Sequence, residues 1–140
     1  MIIWKTEATP AHMNQRNEST MADFIGLKVT QVAHDHVVAE LMISDRVRQP
    51  LGIMNGGASC VIAESLGSTA ANYTVDPNQE FCVGLDINTN HLRPVSQGLI
   101  QAVAEPIHLG KSTQVWSIVI TNEQGKKVSI SRLTMAVRSR

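Results

Sequence analysis

One segment of this chain, residues 58–73, is apolar around nearly the whole circumference of a helix. A helix of that kind has to be covered by protein on most of its sides. The sequence predicts no second long helix, so the cover has to come from strands. The simplest packing is therefore one curved sheet wrapped around this single buried helix. The apolar positions of the segment are Cys60, Val61, Ile62, Ala63, Leu66, Ala70 and Ala71.

Six strands are predicted, two before this helix and four after it. The alternation of Val37, Ala39 and Leu41 with residues of the opposite face is typical of a half-buried strand. The last four strands follow one another with short connections, which predicts a mostly antiparallel sheet. The fold class is α+β, in one domain over residues 1–140. The predicted strands are 27–33, 36–43, 81–88, 99–107, 114–121 and 127–137, and short helices are predicted near Thr9 and over Met21–Ile25.

Charge and composition narrow the function classes. The chain has 12 basic and 12 acidic residues, so its formal net charge is zero and nothing predicts a general attraction to nucleic acid. No apolar run approaches the ~18 residues of a membrane helix, and we expect a cytoplasmic protein without a membrane partner. The two cysteines lack metal-ligand spacing, so we expect reduced thiols and no metal site. One side or edge of such a sheet is left for a subunit partner, which predicts a homo-oligomer.

The candidate site centres on the start of the apolar helix. Gly56 and Gly57 lead into it and allow close approach to free backbone N–H groups, which suit an oxyanion or a polarised carbonyl. Glu64 is the one carboxylate in the apolar run, and Ser68 lies one turn later on the same face. Glu64 is either a general base or nucleophile with a tuned pKa or a helix acid that reaches solvent. The glycine pair alone is equally compatible with a tight turn.

Two further segments are candidates for ligand contact. His91 and His108 follow predicted strands, where each side chain faces either a ligand or open solvent. The loop around Gly110 and Lys111 contains Gly-Lys-Ser, but Glu105 stands where a phosphate-binding loop needs glycine, and a strand follows. The loop is therefore either a hairpin turn or a contact for a polar ligand arm.

Motifs along almost the whole chain resemble the hotdog-fold acyl-CoA thioesterases. The resemblance is strongest to the PaaI-like branch, which includes the Arthrobacter-type 4-hydroxybenzoyl-CoA thioesterase and bacterial 1,4-dihydroxy-2-naphthoyl-CoA thioesterase. It implies a curved sheet around a central helix, active sites between two subunits, and a homotetramer built as a dimer of dimers. The motifs are Ile3-Trp4-Lys5, Gln49-Pro50, Gly56-Gly57-Ala58-Ser59, Ala63-Glu64-Ser65, Gly67-Ser68, Val83-Gly84-Leu85, Ile87-Asn88, Asn90-His91-Leu92-Arg93-Pro94, His108-Leu109-Gly110, Gln114-Val115-Trp116 and Ser131-Arg132-Leu133-Thr134.

The resemblance also implies roles for individual residues. Glu64 corresponds to the catalytic carboxylate, and Gly56 to the residue whose N–H binds the thioester oxygen. Gln49 corresponds to a side chain that lines the thioester pocket, and Ser68 to a hydroxyl that places the reacting water. No metal or cofactor is implied, since CoA is part of the substrate. The segments that contact the CoA-bearing substrate correspond to Gly84, His91, Leu92, Arg93, Pro94, His108, Leu109, Gly110, Lys111, Ser112 and Thr113.

The family usually has a histidine immediately before the glycine pair, and this chain has Asn55. Asparagine keeps a donor and an acceptor, so it can still orient Gln49 or the loop, but it carries no charge. The resulting hypothesis is an acyl-CoA or aroyl-CoA thioesterase whose rate is lowered by Asn55. The alternative is a catalytically weakened acyl-CoA-binding protein. Naphthoyl-CoA, phenylacetyl-type CoA and a hydroxybenzoyl thioester on a carrier protein all remain open as substrates.

Overall fold

The computed structural model describes residues 1–140 and contains three helices and six strands. Residues 45–47 form a single 3-10 turn between the second strand and the long helix. The elements in chain order are α1 Pro10–Arg16, α2 Met21–Ile25, β1 Lys28–Val32, β2 Val37–Met42, α3 Gly56–Tyr73, β3 Glu80–His91, β4 Leu99–Leu109, β5 Thr113–Thr121 and β6 Lys127–Ser139. The predicted number and order of strands and the single long helix are confirmed.

The six strands form one sheet in the order β1-β2-β4-β5-β6-β3, and every neighbouring pair is antiparallel. Strand β3, which directly follows α3, therefore lies at one edge of the sheet. The sheet wraps around α3, which contacts β2, β3, β4, β5 and β6. This is the hotdog arrangement that the resemblance predicts.

Helix α3 packs closely against the centre of the sheet because of one small residue. A Cβ added at Gly67 would lie 2.5 Å from Leu133 Cδ2 and 3.2 Å from Ile118 Cδ1. Both of these side chains are fully buried on the helix-facing side of the sheet. Gly67 thus lets the helix approach β5 and β6 to a distance that any larger residue would prevent.

Several element boundaries differ from the prediction. Helix α3 begins at Gly56, two residues before the predicted start, because Asn55 is its N-cap and accepts a hydrogen bond from the Gly57 N–H. Strand β3 continues to His91 instead of ending at residue 88, and β4 continues to Leu109 instead of residue 107. His91 and His108 therefore lie within strands, not after them. After a β-bulge between Pro106 and His108, β4 continues to pair with β5 through His108 and Leu109.

Strand β3 leaves one edge without a neighbouring strand. Its residues from Val83 to Asp86 are exposed, including the large apolar side chains of Val83 and Leu85. On the helix side, α3 covers only part of this strand. No helix of the chain is both long and apolar enough to cross a membrane.

Candidate active site

A cleft of about 490 Å³ opens at the N-terminal end of α3. It brings together four parts of the chain: the loop before the helix, the first turn of the helix, the end of β3 with the residues that follow it, and the start of β6. The predicted residues Gln49, Gly56 and 91–94 all line it. The complete lining is Gln49, Ile53, Met54, Gly56, Ser59, His91, Leu92, Arg93, Pro94, Val95 and Val128.

The Gly56 N–H is the free donor of this cleft. The next two N–H groups of the helix are already satisfied by Asn55: its side chain accepts from Gly57 at 2.8 Å and its carbonyl from Ala58 at 2.9 Å. The Gly56 N–H has no hydrogen-bond partner within the protein. It lies at the positive end of an 18-residue helix, where a developing negative charge is stabilised.

Gln49 and Asn55 are held by different contacts. The Gln49 side-chain oxygen accepts a hydrogen bond from the Leu51 N–H, so its amide NH₂ is left to donate into the cleft. Asn55 makes no hydrogen bond to Gln49, and its own N–H donates to the Val47 carbonyl at 2.7 Å. Asn55 therefore fixes the start of the helix and does not orient Gln49 in this structure.

Glu64 lies elsewhere, against the edge strand. Its carboxylate touches Gly84 of β3, where an added Cβ would collide with Glu64 Oε1. Glu64 is partly buried and makes no hydrogen bond or ion pair. Burial raises its pKa above the usual 4.5. One turn later, the Ser68 hydroxyl donates to Met135 Sδ at 3.7 Å, which leaves its oxygen lone pairs free.

Glu64 and Gly56 of one chain do not share a site. The rise of an α-helix places Glu64 about 12 Å along the axis from Gly56. A thioester carbonyl held by the Gly56 N–H is therefore out of reach of the same chain's carboxylate. The two groups that the sequence predicts to act together are separated within the protomer.

The predicted contact segment 108–113 lies at the other end of the helix. His108 and Leu109 end β4, Thr113 begins β5, and the Gly110 N–H donates to the Thr113 carbonyl at 2.9 Å, which closes a hairpin. Leu109, Gly110 and Lys111 line a second cleft of about 390 Å³ beside Thr74, the C-cap of α3. The structure therefore does not bring His108, Leu109, Gly110, Lys111, Ser112 or Thr113 together with Gly56 in one chain.

Asn72 is a site residue that the sequence analysis missed. Its side chain donates to the Cys82 carbonyl at 3.0 Å and accepts from the Cys82 N–H at 2.9 Å. It also donates to the Ser68 carbonyl at 2.9 Å. Asn72 lies two turns after Glu64, so it ties the same face of α3 to the strand that carries Gly84. The only signal in the sequence was its i+4 spacing from Ser68.

Comparison with known proteins decides the family. The model of the Thioesterase superfamily matches residues 51–129, which is more than half of the chain and includes Gly56, Glu64 and His91. The chain belongs to the Thioesterase superfamily. The match covers α3 and strands β3 to β5, the elements that carry both halves of the candidate site in this thioesterase domain.

Relatives match this thioesterase over nearly its full length. A putative esterase of Vibrio cholerae is 44% identical over 99% of this chain and 91% of its own length. The 1,4-dihydroxy-2-naphthoyl-CoA hydrolase of Escherichia coli K12 is 38% identical over 97% of this chain and 99% of its own length. The crystal structure of a mutant thioesterase from Pseudomonas aeruginosa, 38% identical, superposes with a TM-score of 0.96 over 99% of both chains. The family and the hotdog fold are thereby shown.

Proposed function

We propose that this thioesterase hydrolyses acyl-CoA or aroyl-CoA to the free acid and CoA. The observation that carries the proposal is the free Gly56 N–H at the start of a long helix, open to a cleft. In a thioester hydrolase such a donor stabilises the negative charge that develops on the carbonyl oxygen by donating a hydrogen bond to it. Glu64 supplies the base or nucleophile, because it is an unpaired carboxylate whose raised pKa makes it a better base.

Two chemical routes fit these groups. In the first, a Glu64 oxygen attacks the thioester carbon, the C–S bond breaks, and CoA departs as a thiolate. The anhydride that remains on Glu64 is then hydrolysed by water. In the second, Glu64 takes a proton from a water that attacks the same carbon, the C–S bond of the tetrahedral intermediate breaks, and the departing CoA sulfur takes up the proton. The proposed role of the Ser68 hydroxyl, one turn from Glu64, is to hold the reacting water in both routes. Neither route uses a metal or cofactor, and this absence stays a prediction.

The active site is proposed to form between two copies of the chain. Within one protomer Glu64 and the Gly56 N–H are too far apart to act on one carbonyl. The unpaired edge of β3 and its exposed Val83 and Leu85 suit pairing with the same strand of a second copy. A two-fold axis across this edge sets the two helices antiparallel. Glu64 of one copy then approaches the Gly56 end of the other.

The same pairing joins the two clefts. His91 and Glu80 stand at opposite ends of β3, and they line the first and the second cleft respectively. Antiparallel pairing of β3 with its copy brings the first cleft of one protomer beside the second cleft of the other. Arg93 and Lys111 then flank one continuous groove, and these cations suit the phosphates of CoA. The 91–94 and 108–113 segments thus contact one substrate from two chains.

A dimer of dimers is proposed from the outer face of the sheet. Val38, Val103, Val119 and Ile130 are neighbours in successive strands β2, β4, β5 and β6, on the side away from α3. They form an apolar stripe that crosses four strands, in which Val38 is buried, Val103 and Val119 are half-buried and Ile130 is exposed. A second pair of subunits that covers this stripe gives the homotetramer.

The acyl group is proposed to be aromatic. The support is the Escherichia coli relative, which is named a 1,4-dihydroxy-2-naphthoyl-CoA hydrolase and matches nearly the whole chain. The 4-hydroxybenzoyl-CoA, phenylacetyl-type CoA and carrier-protein thioesters that the resemblance suggests remain alternatives. A cytoplasmic location likewise stays a prediction.

The test follows free thiol release from a panel of aroyl-CoA and fatty acyl-CoA esters. We expect turnover by the parent protein and a loss of about 100-fold or more in Glu64→Gln, which keeps the size of the side chain but removes its base and nucleophile. Glu105→Gln is the matched control, because Glu105 is exposed on β4 and lines neither cleft. Equal rates for the parent and Glu64→Gln would disprove the assigned role of Glu64.

A second candidate function follows from Asn55. With no ionisable group at this position, a protein that binds acyl-CoA esters and releases them unchanged is the alternative. Calorimetric titration with a CoA ester, run beside the thiol assay, separates the two functions. Tight binding without turnover in the parent, together with turnover in Asn55→His, would favour the binding protein over the enzyme.

A further inference from the structure

The imidazole of His91 lies directly against the oxyanion donor. His91 is the last residue of β3 and Gly56 is the first of α3. A Cβ added at Gly56 would lie 3.0 Å from both His91 Cε1 and His91 Nε2. Neither ring nitrogen makes a hydrogen bond or ion pair within the protein. An unoccupied ring nitrogen thus lies in the cleft, beside an unoccupied N–H.

The spacing allows one oxygen atom to accept from both groups. A residue's N and Cβ are about 2.5 Å apart, so His91 Nε2 lies no more than about 5.5 Å from the Gly56 nitrogen. Hydrogen bonds of the usual length of about 2.9 Å to each nitrogen span up to about 5.8 Å. This separation therefore allows a carbonyl oxygen in the cleft to accept from both donors without any movement of the backbone.

We propose that the Nε2–H of His91 is a second donor to the thioester oxygen, together with the Gly56 N–H. The inference rests on the proposed thioester hydrolysis and deepens it. As the carbonyl carbon becomes tetrahedral, its oxygen takes on negative charge, and both donors strengthen their hydrogen bonds to it. His91 transfers no proton in this step. The Nε2–H is present in the imidazolium and in one of the neutral tautomers, so the role does not require a charged ring.

The position of Asn55 supports this assignment. The Asn55 side chain is occupied as the N-cap, where it accepts from the Gly57 N–H. Asn55 and Gly57 also line a different depression, beside Phe24, and not the cleft that holds Gly56. His91 is therefore the one imidazole beside the glycine pair. The ring lies over the Gly56 backbone, which distinguishes it from a contact made only with the nucleotide end of CoA.

Substrate truncation separates an oxyanion donor from a CoA contact. The two substrates are benzoyl-CoA and the benzoyl thioester of N-acetylcysteamine, which keeps the reacting group but lacks the nucleotide. We expect His91→Leu to lower kcat about 100- to 1,000-fold on both substrates, as loss of one oxyanion donor does. We expect His91→Gln, whose amide N–H reaches a similar position, to recover at least about tenfold of that loss. A rise in KM for benzoyl-CoA alone, with the truncated ester unaffected, would overturn the proposal.

An infrared measurement tests the same hydrogen bond without turnover. Benzoyl-CoA is bound to Glu64→Gln and to the double variant Glu64→Gln with His91→Leu, and the thioester C=O stretch is recorded. We expect the shift to lower frequency to be smaller in the double variant, because one donor is missing. Equal shifts would disprove donation by His91. Failure of the parent to hydrolyse any thioester would instead count against the proposed function, and the infrared result would still decide the role of His91. Thermal unfolding confirms that each variant is folded.

Discussion

The side-chain amide of Asn72 pairs with both backbone groups of Cys82, at 3.0 Å and 2.9 Å, along the open edge of β3. A neighbouring strand would make the same kind of pair. Asn72 thus closes this part of the edge with a side chain of α3 and leaves the remainder of β3 open. It also fixes the distance between the helix face that carries Glu64 and the strand that carries Gly84.

Asn72→Ala is expected to destabilise the protein by about 1–3 kcal/mol, because the Cys82 N–H and carbonyl lose their partner. The measurement is the free energy of unfolding in urea, together with hydrogen exchange of the Cys82 amide, which we expect to accelerate. Thr69→Ala is the control, since Thr69 is partly buried on the same helix and makes no side-chain hydrogen bond. Unchanged exchange at Cys82 in Asn72→Ala would show that the pair does not hold the edge.

Gly84→Ala is expected to reduce activity far more than stability. The added methyl group collides with Glu64 Oε1, and a carboxylate at the end of a flexible side chain moves aside at little cost in folding free energy. A displacement of about 1 Å at a reacting group lowers the rate about 100-fold. We expect that loss in kcat with a change in unfolding free energy below about 1 kcal/mol.

Val83→Ala is the matched control for Gly84→Ala. Val83 is an exposed neighbour on the same strand, paired with Ala136 of β6. A similar loss of activity in both variants would indicate that this stretch of the edge matters for assembly and not for the position of the carboxylate. Size-exclusion chromatography with light scattering measures the assembly directly.

The pH dependence of activity is expected to reflect the raised pKa of Glu64. Both proposed routes need the carboxylate form, so kcat/KM should fall as the pH decreases through the pKa of Glu64. Since burial raises this pKa, the midpoint should lie above the ordinary value of 4.5. A pH–rate profile with a truncated thioester measures it. A midpoint at or below 4.5 would contradict the raised pKa.

Stability should respond to the same group with a defined sign. A carboxyl whose pKa is higher in the folded state binds more protons folded than unfolded between the two pKa values. Its contribution is therefore most favourable below the unfolded pKa and is lost as the pH rises through the folded pKa. Glu64→Gln does not titrate, so its stability relative to the parent should increase from pH 4 to pH 7. Thermal unfolding of both proteins across this range tests the sign.

The sequence predicted the buried helix and the sheet around it because both leave a periodic pattern of apolar residues. It placed the start of α3 two residues late, since the N-cap role of Asn55 depends on a side-chain hydrogen bond and not on apolar pattern. It also ended β3 before His91, because the edge strand is exposed and its polar residues resemble a loop. The proximity of His91 to Gly56 arises from the fold of the sheet and not from spacing along the chain, so the predicted strand boundaries did not reveal it.

Asn55 itself yields the last prediction. Its side chain satisfies the Gly57 N–H, so Asn55→Ala should lower the free energy of unfolding by about 1 kcal/mol, the usual value of an N-cap. Asn55→Asp and Asn55→Ser keep an acceptor and should preserve stability. Loss of the cap loosens the first turn of α3, which positions the Gly56 N–H, so we expect kcat to fall along with stability. If Asn55→Ala unfolds like the parent in urea, the cap does not define the start of α3. The free state of the Gly56 N–H would then not depend on Asn55.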